Sequence, residues 1–153
     1  MRWTELEDEK CPVARAMSVI GDRWTVLILR DCLRGVSRFD EFQRRLDCSR
    51  AIIADRLAHL ADSGVLKRER YEAHPPRFDY RLTEMGRALG PVLMTMSNWG
   101  ETWLPKAGGH RVVRRHTACG HAFQPALHCS ECGEPIEPGE VEYADPVKRK
   151  TPA

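Results

Sequence analysis

The sequence predicts a fold that is mainly α with a small β-hairpin near its middle, followed by a cysteine-bearing tail of a different kind. Three observations carry this. Apolar residues recur at helical spacing over most of residues 12–104, and two short alternating runs either side of Pro75-Pro76 interrupt them once. Beyond Gly108-Gly109 the large apolar residues thin out, and three of the six cysteines gather there. A chain of 153 residues has room for one sizeable core and an appendage.

The first helix covers residues 12–20, where Val13, Met17 and Ile20 share a face; Gly21 ends it and Asp22 is placed to cap the next. Residues 24–33 form an almost wholly apolar run (Trp24, Val26, Leu27, Ile28, Leu29, Leu33), predicting a helix in the middle of the core, stopped by Arg34-Gly35. A short helix over 40–46 follows, with Phe39, Phe42 and Leu46 inward, and Asp47-Cys48-Ser49 makes a turn. Ser49 caps a longer helix running to about residue 63, whose Ile53, Leu57 and Leu60 at i, i+4, i+7 face the core; Gly64 stops it. Strands are expected at 65–71 and 78–82, joined by a tip that Pro75-Pro76 stiffens. Thr83 then caps a last long helix to about residue 103. Its Met85, Leu89, Val92, Met96, Trp99 and Trp103 follow the steps of a heptad seam, with a kink expected at Pro91. No internal repeat is read along the chain.

Helix, helix, short helix, turn, longer helix and hairpin is the order of a winged helix-turn-helix, in which the Ser49 helix enters the major groove of double-stranded DNA. Such a helix needs an outer face that is short or polar, because the groove is only about 12 Å wide. Arg50, Ala51, Ala54 and Asp55 provide it. Arg50 suits a guanine edge or a phosphate, Ser49 and the first amides suit a phosphate oxygen, and Arg56 flanks them. Arg70, His74 and Arg77 ride the hairpin toward a minor groove, and Arg38, Arg44 and Arg45 add phosphate contacts. The overall charge of +2 announces no nucleic acid, but residues 34–81 hold eleven Lys/Arg against eight Asp/Glu, and a local basic surface suffices. The competing reading is a protein-interaction adaptor, since basic residues on a helical bundle also form ordinary solvated faces. An enzyme is not expected: there is no P-loop, G-x-G-x-x-G or G-x-S-x-G. No run nears the roughly 20 apolar residues of a membrane span. The start, MRWTELEDEK, lacks the apolar stretch of a signal peptide, so a cytoplasmic chain is expected.

Several strings in order resemble the HxlR-type winged-helix regulators: Cys11-Pro12-Val13, Gly21-Asp22-Arg23-Trp24-Thr25, Leu27-Ile28-Leu29-Arg30, Arg38-Phe39-Asp40-Glu41-Phe42, Ser49, and Arg56-Leu57. Pro75-Pro76-Arg77, Tyr80-Arg81-Leu82-Thr83 with Gly86, Pro91-Val92-Leu93 and Trp99-Gly100 continue the likeness, which covers about residues 11–104. The resemblance implies a dimeric regulator on an inverted repeat, with the C-terminal helix pairing against the first helix of the other subunit. Residues 50–55, Arg-Ala-Ile-Ile-Ala-Asp, are the sequence-reading face, so no relative's operator carries over.

The heptad seam independently favours a homodimer. Pro12 suits the first helical position, which puts Cys11 at the cap, where the dipole favours a thiolate; some HxlR-type regulators resemble this in using a cysteine before Pro-Val. Cys11 is therefore the redox-sensing candidate for an oxidant or small-molecule effector, against the plainer reading of a small interface residue. The tail repeats ligand, two residues, cysteine, glycine: His116-Thr117-Ala118-Cys119-Gly120 and Cys129-Ser130-Glu131-Cys132-Gly133. Together these suit one structural Zn2+ held by His116, Cys119, Cys129 and Cys132, with His121 and His128 as rivals for the fourth position. Arg111, Arg114 and Arg115 are placed to extend a DNA footprint or stiffen the dimer. The predicted organisation is an arm at 1–10, the winged helix-turn-helix at 11–83, a dimerisation helix at 84–104, a zinc-ribbon-like tail at 110–145 and a disordered end at 146–153.

Overall fold

The computed structural model describes residues 6, 9–109 and 112–143; the predicted disordered end and Arg111 lie outside them. The chain forms two compact units, Met1–Met94 and Thr95–Ala153.

The first unit follows the predicted order: α1 (Pro12–Ile20), α2 (Arg23–Leu33), α3 (Phe39–Arg45), α4 (Arg50–Asp62), β1 (Leu66–Glu72), β2 (Arg77–Leu82), α5 (Glu84–Ala88) and the start of α6 (Gly90–Trp103). Each α4 residue expected to face inward does so: Ile53, Leu57 and Leu60 are fully buried with Ile28, Leu29, Phe42 and Val65. Each such side chain contributes about 1.5–3 kcal/mol on leaving water, which outweighs any single surface contact described below. The caps are also as read. Asp22 accepts from the amides of Trp24 (2.9 Å) and Thr25 (3.2 Å), Ser49 Oγ from Ile52 (3.3 Å), and Thr83 Oγ1 from Gly86 (3.1 Å).

Two expectations are corrected. The helix from Thr83 is not one kinked rod but α5 and α6, separated at Leu89. Pro91 has no amide to donate and sits in the first turn of α6, where none is required. The second correction concerns α2, which is not a uniformly apolar core rod. Thr25 and Asp31 are buried in it while Leu33 is exposed, and Arg30 Nε meets Asp31 Oδ1 at 2.9 Å. The wing is the two-stranded hairpin expected, with one bridge added. β1 pairs antiparallel with β2 through a bulge between Arg70 and Glu72, and the segment before α3 adds to the other edge of β2. There Arg38 bridges Asp79, and the Tyr80 amide donates to the Ser37 carbonyl at 2.8 Å.

Cys32, on α2, is buried, and burial first, then the Asp31 charge, push its thiol up to about 12. Its thiolate is therefore scarce at neutral pH. The native protein at pH 8 is expected to alkylate Cys32 on the order of a thousandfold more slowly than an ordinary exposed thiol. Mapping of iodoacetamide adducts by mass spectrometry checks this; alkylation of Cys32 as fast as in the unfolded chain contradicts the burial. Because the folded value lies above the ordinary 9.0, the associated stability is intact below pH 9 and is lost as pH climbs toward 12.

The second unit contains the C-terminal part of α6 and the tail. Arg114 begins β3 (Arg114–Arg115), which pairs with β4 (Ala122–Phe123). Its side chain is only 9% exposed, and its guanidinium donates to Ser97 Oγ at 2.6 Å and meets Glu101 Oε1 at 3.3 Å on α6. Held in this way, Arg114 is not placed to join a DNA footprint, which corrects that expectation. The reading of no internal repeat is also corrected, since the backbone closes two like hairpins thirteen residues apart. The His116 amide donates to the His121 carbonyl (2.9 Å) as Cys129 does to Glu134 (2.9 Å). Gly120 donates to His116 (2.7 Å) as Gly133 does to Cys129 (2.9 Å). The Arg115↔Ala122 pairing recurs as His128↔Pro135. Gly120 (φ 72°) and Gly133 (φ 76°) occupy the left-handed region that each tight turn needs.

Candidate nucleic-acid interface

Helix α4 owes its position to its buried stripe, and the same geometry turns the opposite stripe outward. Ala51, Ile52, Ala54, Asp55 and Ala58 are all exposed. This face is narrow, with no long side chain between Ala51 and Asp55 except Ile52, so a groove wall can approach the backbone. Ile52, within the 50–55 run, is not among the side chains that the sequence reading assigns to the outer face. Its signal was available: an isoleucine one position before a core isoleucine falls about 100° off the buried stripe, and an exposed methyl group there suits a thymine methyl.

Arg50 stands at the α3–α4 crease. It lies 4.7 Å from the Phe39 ring, donates to Gln43 Oε1 at 2.9 Å, and is 3.9 Å from Asp40. Two-thirds of its side chain is exposed, so these contacts are weak and exchangeable with a phosphate or a base edge. Ser49 Oγ accepts from the Ile52 amide, which leaves its O–H as a donor for an anion. Arg56 is more firmly held, with Asp55 at 2.7 Å and Asp22 at 3.9 Å, and at 33% exposure it braces α4 against the α2 cap. On α3, Arg45 pairs with Glu41 (3.3 Å) and Arg44 Nε donates to the Asp40 carbonyl (3.4 Å).

At the wing, Arg70, His74 and Arg77 are exposed with the Pro75-Pro76 tip. Arg77 Nε pairs with Glu72 at 3.1 Å; the Tyr71 side chain, then Glu72, raise its guanidinium above the usual value and keep the charge at the tip. Arg38 packs on the Tyr71 ring at 4.8 Å and reaches Asp79 at 3.7 Å, so it ties the start of α3 to the wing. The structure thus gathers Arg38, Arg44, Arg45, Ser49, Arg50 and the α4 face on one helical pair, with Arg70, His74 and Arg77 on the adjoining hairpin.

Cys11 is exposed at the N-cap of α1 with its side chain making no cap bond. Arg15, on the first turn of α1, donates to the carbonyls of Glu9 (2.8 Å) and Lys10 (2.9 Å). Among the described residues no three His, Cys, Asp or Glu side chains are gathered as metal ligands. The tail presents two pairs: Cys119 Sγ lies 3.4 Å from His116 Nδ1, and backbone amides with Cys132 lower the Cys129 thiol below its ordinary value. His128 Nδ1 is engaged with the Gly133 carbonyl at 2.9 Å. No helix among the described residues is long and apolar enough to cross a membrane.

Three helices ending in an outward-faced α4, with a sheet flanking it, define a winged helix-turn-helix protein. The chain belongs to the HxlR-like helix-turn-helix family, whose model matches residues 19–108. It is 40% identical over 124 residues to an uncharacterised HTH-type transcriptional regulator of Mycobacterium tuberculosis, covering 81% of this chain and 78% of the relative. Among solved structures it is similar to PA1607, a putative transcription factor by its description, with TM-score 0.81 and 33% identity across 92% of this chain and 99% of that one. The redox regulator HypR in its reduced form aligns with TM-score 0.59 and 33% identity over 62% of this chain and 95% of that one. The protein is a DNA-binding transcriptional regulator of the helix-turn-helix type, and the relatives it matches are transcriptional regulators.

Proposed function

We propose that the chain binds an inverted-repeat operator as a homodimer, with α4 in the major groove and the wing tip in the adjacent minor groove. The observation that carries this is the α4 face itself: small, solvent-exposed and bordered by Arg50, on a helix whose other side is locked into the core. Arg50 reads a base edge, Ser49 with the first α4 amides holds a phosphate, and Arg77 enters the minor groove. Arg38, Arg44, Arg45, Arg56, Arg70 and His74 supply backbone contacts, while Ala51, Ala54 and Asp55 set the shape of the reading face.

The homodimer is supported by α6. Met96, Trp99 and Trp103 follow one another along one side of that helix and are exposed, Trp103 at 70%. A contiguous apolar stripe of this kind is uncommon on a monomer. A two-fold dimer also matches a palindromic site. Cys11 is the thiol through which an oxidant or electrophile acts, a reading supported by its exposure at the α1 cap and by the likeness to a redox regulator.

The test is fluorescence anisotropy on genomic fragments selected by the protein, across salt concentrations. Binding is expected to fall about a thousandfold or more between 50 and 200 mM salt, as release of counterions from several phosphates requires. In the same assay Trp99→Glu is expected to weaken both dimerisation and operator binding by about tenfold or more, because a carboxylate is placed in an apolar seam. Salt-insensitive binding, or a dimer and affinity unchanged by Trp99→Glu, refutes the corresponding half of the proposal.

A further inference from the structure

Residues 112–143 present a physical problem. They form regular hairpins with defined hydrogen bonding, yet not one of them is buried; Leu127, Val141 and Tyr143 are exposed, Tyr143 at 95%. A segment of this size without a core needs some other source of folding free energy. The internal repeat indicates which. Its two hairpins share two backbone hydrogen bonds and one cross-strand pairing at an offset of thirteen residues, a register that matches His116 with Cys129, Cys119 with Cys132, and Gly120 with Gly133. Each hairpin is a knuckle: two potential ligands three residues apart, the second followed by a left-handed glycine, and the carbonyl of the first ligand tied to that glycine's amide.

We propose that the two knuckles close on a single structural zinc ion, with His116, Cys119, Cys129 and Cys132 as its four ligands. The repeat itself selects His116 over its rivals. His121 corresponds to Glu134 and His128 to Arg115, so neither occupies a ligand register, and His128 is already bonded to the Gly133 carbonyl. The His116–Cys119 pair, 3.4 Å apart, already stands at the distance of two ligands sharing one ion. The second pair lies on its own knuckle, no third ligand stands with either pair among the described residues, and Gln124, Pro125 and Ala126 between the hairpins are the segment whose turning would join them. On binding, the three thiols release their protons to solvent and their sulfurs coordinate the metal with one neutral imidazole nitrogen. Four protein ligands leave no open position, so the centre is structural. Its first knuckle is fastened to α6 by Arg114 through Ser97 and Glu101, so the metal steadies the segment directly behind the exposed apolar stripe of that helix.

The experiment uses the tag-free full-length chain, reduced, loaded with zinc and then desalted, with metal measured by mass spectrometry. The expected result is about one zinc per chain in the wild type, in His121→Ala and in His128→Ala. Cys119→Ser, Cys129→Ser and Cys132→Ser are expected to lose it, and His116→Ala to bind at least about tenfold more weakly. Cobalt substitution adds a spectroscopic readout: the visible bands of a tetrahedral, thiolate-rich site in the wild type, altered in His116→Ala. Zinc absent from the wild type overturns the proposal, as does full zinc in Cys129→Ser or Cys132→Ser. Loss of zinc in His121→Ala or His128→Ala with none in His116→Ala overturns the ligand assignment. Helical circular dichroism unchanged in all variants shows that unit 1 is folded, so a failed metal centre leaves the DNA-binding proposal standing.

Discussion

Gly86→Ala is expected to destabilise the protein by roughly 2–3 kcal/mol, although alanine is the better helix former by about 1 kcal/mol. Gly86 is buried on α5, and a Cβ built there collides with the Val65 carbonyl oxygen and stands 2.9 Å from Leu82 Cδ2. The first of these is backbone, held in place because the same oxygen accepts from the Thr83 amide at 3.1 Å. It cannot swing aside as a side-chain tip does, so α5 or the start of β1 must shift, and with it the buried Val65 and Leu66 beside the wing. The contrasting substitution is Gly100→Ala on α6, where an added Cβ meets nothing within 4 Å; there the intrinsic preference is unopposed and stability rises by up to about 1 kcal/mol. Urea denaturation with an unchanged m-value measures both. A neutral or stabilising Gly86→Ala means that the approach of α5 to Val65 is looser than described.

Arg50→Ala and Arg77→Ala are each expected to weaken operator binding by about 1–3 kcal/mol, roughly five- to 150-fold, with little change in folding stability. Stability is spared because both side chains are more than half exposed and their ion-pair and amide partners are surface groups: Gln43 and Asp40 for Arg50, Glu72 for Arg77. The two losses differ in kind. Arg50 stands at the start of the reading helix, so its removal relaxes discrimination at one base pair per half-site. Arg77 acts on the groove and backbone, so its removal weakens related sequences together and lowers the salt dependence. Anisotropy against the operator and a panel of single-base variants separates these patterns. Unchanged affinity in both variants excludes the proposed docking of α4 and the wing.

The legibility of this chain varied with the range of the interaction concerned. The α1 boundaries, the Asp22, Ser49 and Thr83 caps, and the inward stripe Ile53-Leu57-Leu60 were all readable, because a cap or a helical face depends on residues within about four positions of one another. The outer face of α4 followed by subtraction, and only Ile52 escaped. What escaped elsewhere depends on distant partners. Asp31 is charged and reads as surface, yet it is buried beside Arg30. Ser37 and Arg38 join β2 through residues some forty positions away, and no local pattern announces it. In the tail the likeness of the two cysteine motifs was visible in residue types, but their extent as a repeat was not, because the matching is in backbone hydrogen bonds between unlike side chains.

The sequence alone determined the order of the elements up to the wing, the inward faces of α3 and α4 and the small residues on the outer face of α4, since periodicity and capping are short-range and survive any arrangement of the remainder. Tertiary structure decided which cations are engaged by the protein itself. Arg56 is braced by Asp22, Arg114 by Ser97 and Glu101, and Arg50 rests lightly on α3. It also decided that Gly86 must lack a side chain. Both outcomes depend on where a second element comes to rest against the first, and that is set by packing of the whole core rather than by any stretch of neighbouring residues.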